Sequence, residues 1–106
     1  MWLKAIPTEL SENELRTVEL NGQRILIGRA SKGYFAVMDQ CSHQKLPLSD
    51  ADGLPGRIHR DLLECPHHGA KFDPYTGQAK GLPAVRPIKS LKVKEADGFV
   101  WVELEE

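Results

Sequence analysis

Much of what this sequence tells comes from what it does without. No apolar run approaches membrane-spanning length, and the opening residues MWLKAIPTEL hold no signal-peptide core. Those two absences set a cytoplasmic location, off the membrane, as the expectation. The net charge is −1, which argues against nucleic acid as a partner, because such binding normally needs a basic patch. No stretch repeats its apolar residues with the 3.6 period of a helix, and no internal repeat or linker is visible. Hydrophobic residues make up 41% and charged residues 27% of the chain, a balance that leaves out disorder and coiled coils. A Gly-rich nucleotide loop, a paired-carboxylate motif and a nucleophile elbow are all missing, so nothing is arranged to transform a substrate. Only two cysteines occur, and in a reducing compartment a disulfide between Cys41 and Cys65 is disfavoured.

What is present reads as one all-β domain over residues 1–106. Turn signals recur at the short intervals of an antiparallel sheet protein. WLKAI forms a first strand, and PTEL offers at most one helical turn. LRTVEL and RILIGRA flank Asn21-Gly22, the strongest short hairpin signal. Ser31 to Gly33 turn the chain into YFAVMD. A loop-like region from Cys41 to Gly56 follows, and then a short hairpin, RIHRDLLE, turning at Arg60-Asp61. AKF is strand-like, DPYTG turns, and IKSLKVKE pairs with FVWVELE across Ala96-Asp97-Gly98. The expected architecture is an antiparallel sandwich or barrel with two loops arriving from strand ends.

Both cysteines and three of the four histidines sit in those two loops, as CSHQ at residues 41–44 and CPHHG at residues 65–69. The first offers Cys41-x-His43. The second offers Cys65-x-x-His68, with His67 as a competitor. Two thiolates with two imidazoles suit zinc or iron–sulfur chemistry. These spacings in a Gly/Pro-rich surround fit a cluster better than a zinc finger, whose histidines lie on a helix.

The pattern C-x-H … C-x-x-H, followed by GAKFDPYTGQA, resembles that of Rieske-type [2Fe–2S] proteins. It is most similar to the small Rieske ferredoxins that serve bacterial aromatic-ring dioxygenases, and the similarity runs over nearly the whole chain. It implies a Rieske-like β sandwich or barrel with a two-loop cluster-binding part at about residues 40–84. It implies that Cys41 and Cys65 bind one iron and His43 and His68 the other. The implied function is a one-electron carrier between a flavin or iron–sulfur reductase and a terminal oxygenase, itself not an enzyme. Docking is then expected around His43 and His68, with Gln44, Lys45, Leu46 and Pro47 on a small transient face. The separation between His43 and Cys65, residues 44–64, is a few residues longer than the family's usual one; the surplus is expected as a longer turn within SDADGLPGRIHRD. Respiratory Rieske proteins carry a disulfide between the loops and two hydroxyls near the cluster sulfurs. Here Leu46 and His67 stand at the disulfide positions, and Ala70 and Phe72 at the hydroxyl positions, which implies a low potential. Two other readings are a Rieske subunit of another redox system, such as a nitrite reductase small subunit, and a zinc-stabilised binding module.

Blander roles suit the remaining conspicuous residues. His59 matches no ligand spacing and reads as a surface histidine on a strand edge. Lys89, Lys92 and Lys94 read as a solvated strand face, and Trp2 and Trp101 as strand-packing aromatics. Pro83 resembles the proline loop that covers the family's cluster. Asp50 to Gly53 has only a superficial likeness to a calcium loop.

Overall fold

The computed structural model describes residues 1–39, 50–51, 54–64, 70–81 and 86–104. Its strands are β1 (Trp2–Pro7), β2 (Leu15–Leu20), β3 (Gln23–Ala30), β4 (Gly33–Met38), β5 (Asp50–Ala51), β6 (Leu54–Pro55), β7 (Arg57–His59), β8 (Leu62–Glu64), β9 (Lys71–Phe72), β10 (Ala79–Gly81), β11 (Ser90–Leu91), β12 (Val93–Ala96) and β13 (Phe99–Glu103). They form antiparallel sheets in the orders β1-β13-β12, β11-β4-β3-β2 and β10-β9-β8-β7, with β5-β6 as a separate pair. The described residues contain no helix, so PTEL does not supply a helical turn; Thr8 instead donates its backbone N–H to Gly98 at 3.0 Å.

In the sheet β11-β4-β3-β2, the central strands β3 and β4 bury residues on both faces. Ile25, Ile27, Tyr34 and Ala36 join Ile6, Val100, Val102 and Leu104 in one core cluster. Their alternates Leu26, Phe35 and Val37 join Ile58, Leu63, Ala70, Phe72 and Ile88 in another. Side chains alternate along a strand, so one strand can feed two cores only if both of its residue sets are apolar. The ILIG core of RILIGRA and YFAVM are continuous apolar runs for that reason.

The turns are specified locally. Asn21 and Gly22 have φ of 53° and 78°, and Asp97 and Gly98 have 56° and 79°, the positive pair that a two-residue hairpin requires. Arg60 and Asp61 adopt φ of 53° and 63° between β7 and β8 without any glycine. The stretch between the two motifs contains the β5–β6 pair, with Asp50 opposite Pro55 and Ala51 opposite Leu54.

One sequence expectation is corrected. IKSLKVKE is not a single strand. Ser90 and Leu91 pair with Val37 and Ala36, whereas Val93 to Ala96 pair with β13. The chain changes sheets at Lys92, whose carbonyl accepts from Glu103 N–H at 2.9 Å. The solvent-side aromatics are strand-packed as expected, but against lysines. Lys94 Nζ lies 4.6 Å from the Trp2 ring and 5.7 Å from Trp101, and Lys4 Nζ lies 4.4 Å from Phe99, within cation–π range.

Candidate metal centre

The proposed ligands Cys41, His43, Cys65 and His68 lie outside the described residues, as do His67, Pro83 and the docking candidates Gln44 to Pro47. The structure shows where the chain enters and leaves those segments. Val37 stands near the end of β4, ahead of the first motif. Leu63 and Ala70 bracket the second motif. Ala79 and Ile88 bracket the stretch that holds Pro83. Val37, Leu63, Ala70 and Ile88 belong to one buried cluster, and Ala79 packs against it. Three loops that are distant in sequence are therefore rooted in one core.

Strand register reinforces this. Glu64 opposes Lys71, and Lys71 opposes Gly81. The second motif and the Pro83 segment thus leave the β7–β10 sheet from the same end. Arg57 opposes Glu64 at that end, and their side chains form an ion pair at 3.1 Å. The opposite end is tied to the middle sheet. Asp61 accepts from Ser31 N–H at 3.0 Å and Ser31 Oγ at 2.5 Å. Tyr75 Oη donates to Gly33 O at 2.9 Å and accepts from Lys32 N–H at 3.2 Å. β4 and β8 both set out from this shared contact, and their far ends lead into the two motifs.

The electrostatics follow from these contacts. Hydrogen bonds from Ser31 hold the Asp61 carboxyl below the usual carboxylate range. Desolvation pushes the Tyr75 phenol upward. Gly77 has φ of +84°, and a Cβ there would collide with the carbonyl of Ile88. Ile88 N–H donates to Gly77 O at 2.8 Å, so a glycine allows the chain after Pro83 to close onto the DPYTG turn.

Two contacting groups escape the sequence reading. Asp39, two residues before Cys41, is buried at 6% exposure. Arg24 donates through Nε to Asp39 Oδ2 at 2.6 Å. Neither residue stands in a recognisable motif. Asp61 and Tyr75 were legible only as turn residues. His59 is exposed on β7, the outer strand of its sheet, as expected. Lys89, Lys92 and Lys94 are likewise exposed. Among the described residues, no group of three His, Cys, Asp or Glu is placed to hold a metal. Two thiols and three imidazoles lie on the two motif segments, whose flanking residues Val37, Leu63 and Ala70 share one core, and such donors suit an iron–sulfur group.

Comparison with known proteins points to an iron–sulfur cofactor. A family model described as Rieske [2Fe-2S] domain matches residues 2–92. The biphenyl 2,3-dioxygenase ferredoxin component of Rhodococcus jostii (strain RHA1) is 36% identical over 97 residues, covering 92% of this chain and 86% of the relative. The ferredoxin of carbazole 1,9a-dioxygenase from Nocardioides aromaticivorans IC177 has the same fold, with a TM-score of 0.85 and 23% identity over 98% of each chain. A chain in the solved complex of reduced oxygenase and oxidized ferredoxin in carbazole 1,9a-dioxygenase superposes with a TM-score of 0.84 and 28% identity, covering 98% of this chain and 97% of that one.

Proposed function

The chain belongs to the Rieske [2Fe–2S] domain family, and from that premise we propose that it is the one-electron carrier of a multicomponent oxygenase system. Residues 1–106 form a single domain in this reading, and about 40–84 hold the cofactor. Cys41 and Cys65 would hold one iron, and His43 and His68 the other. When bound, the [2Fe–2S] group supplies a one-electron couple, and its two neutral imidazoles make reduction easier than four thiolates would.

The protein's own part is to root both ligand loops in one core and to keep the carrier compact. The observation that carries the reading is that Val37, Leu63, Ala70 and Ile88, which lie close in sequence to the proposed ligand segments and the Pro83 stretch, share one buried cluster. The relative from Rhodococcus is a ferredoxin component covered over 86% of its length, which favours a separate carrier over a catalytic subunit. The solved carbazole complex pairs a ferredoxin with its oxygenase, so a terminal oxygenase is the proposed acceptor; a flavin or iron–sulfur reductase is proposed as the donor on the family resemblance alone. Docking is proposed around His43 and His68, where exposed imidazole edges would give the electron a short exit. A cytoplasmic location suits reduced thiols. No helix among the described residues is long and apolar enough to cross a membrane.

The test is direct. The purified protein should be red-brown, bleach with dithionite, and contain two iron and two acid-labile sulfides per chain. Cys41→Ser, Cys65→Ser, His43→Ala and His68→Ala should each lose the colour, while His67→Ala keeps it. A colourless zinc protein would refute the reading. A coloured His68→Ala beside a colourless His67→Ala would reassign the ligand.

A further inference from the structure

Among the described residues, Asp39 is the one charged side chain in the buried set. Its side chain is 0% exposed, whereas that of Arg24, its partner at 2.6 Å, is 56% exposed. Burying a carboxylate costs desolvation energy that an ion pair often fails to recover, so such a pair is weak evidence of a stabilising role. Backbone hydrogen bonds also hold this place. Asp39 N–H donates to Arg24 O at 3.1 Å, and Met38 N–H donates to Lys89 O at 2.9 Å. The position of the charge is then the informative feature. Asp39 precedes the proposed ligand Cys41 by two residues, a reach of at most about 7 Å along the chain.

We infer that the Asp39–Arg24 pair tunes the reduction potential of the metal centre, Asp39 lowering it and Arg24 raising it. The inference rests on the carrier reading above. A fixed negative charge beside the centre opposes the arrival of an electron, and in the buried interior its field is weakly screened. The Arg24 guanidinium acts in the opposite sense. It faces water and is screened, so its influence is smaller and the net effect of the pair is a lowered potential. A pair of such unequal exposure therefore acts as an off-centre dipole at the root of the first ligand loop. Both residues are positioning residues, acting on the centre through space.

Redox titration of the cluster-loaded protein and its variants at neutral pH tests this. Asp39→Asn keeps the shape of the side chain and its capacity to accept from Arg24, and its potential should shift upward. Arg24→Gln should shift downward by less, and Arg24→Lys should stay near wild type. Asp97→Asn changes net charge equally on the exposed β12–β13 turn and should leave the potential in place. A merely structural pair would lower thermal stability in both Asp39→Asn and Arg24→Gln without splitting their potentials. Unmoved potentials, or shifts of the same sign, would overturn the inference. If Asp39→Asn fails to fold, the Arg24 variants decide it: Arg24→Gln must fall while Arg24→Lys does not. A wild type with no one-electron couple would instead sink the carrier reading, so the two failures are distinguishable.

Discussion

Ala70 and Phe72 are both 0% exposed, and neither side chain carries a hydroxyl. They follow the second ligand motif at positions where respiratory Rieske proteins, by resemblance, direct hydroxyls toward the cluster sulfurs. Hydroxyl hydrogen bonds drain negative charge from sulfur and favour the reduced state. Their replacement by a methyl group and a phenyl ring removes that help. Ala70→Ser and Phe72→Tyr should each raise the potential, and the double variant should raise it further. Potentiometric titration checks this, and a double variant with an unmoved potential would defeat the hydrogen-bond account. The missing hydroxyls were legible in the sequence because the motif fixes their positions. The burial of Asp39 was not. An aspartate beside a loop ordinarily reads as solvated, and only the pairing of β3 with β4 brings Arg24 across from it.

The β7–β10 sheet is held to the middle sheet by Asp61 and Tyr75, and both grip the turn at Ser31 to Gly33. Tyr75→Phe keeps the edge-on contact with Phe35, at 5.7 Å between ring centroids, but removes two hydrogen bonds. A loss of about 1–2 kcal/mol is expected, or about 4–8 °C in melting temperature per kcal/mol for a domain of this size. Thermal melts check it, and an unchanged midpoint would mean that the ring alone holds the sheets together. The pH response has a definite sign on each side. The Asp61 pKa is depressed in the folded state, so its contribution is complete above the ordinary carboxylate value and fades as pH falls through the folded one. The melting gap between wild type and Asp61→Asn should therefore be widest at neutral pH and close in acid. The Tyr75 pKa is raised above the ordinary 10.0, so its contribution persists below that value and is lost as pH climbs through the folded one. Wild type should lose its advantage over Tyr75→Phe in strong alkali. Hairpins such as Asn21-Gly22 could be read in advance because the turn itself demands those residues. The break at Lys92 could not. Leu91 and Val93 lie on either side of it with no glycine or proline between them, and only their partners reveal that they belong to different sheets.

The whole molecule is a stack of sheets whose middle layer serves two cores, and three loops are rooted in one of those cores. The all-β class and most strand positions were readable from alternation and turns. The layering was not, because an apolar run buried on both faces looks the same in sequence wherever its partners come from. Tying two distant segments through one metal centre links binding to folding. The cluster-loaded protein should melt well above the cluster-free protein, and equal midpoints would make the centre a passenger on a self-sufficient β domain. The central claim is that this chain carries single electrons at low potential, and protein-film voltammetry of the wild type at neutral pH tests it most directly. The account predicts one reversible one-electron wave toward the about −150 mV end of the Rieske range. A clearly positive potential, or no reversible one-electron wave, would contradict it.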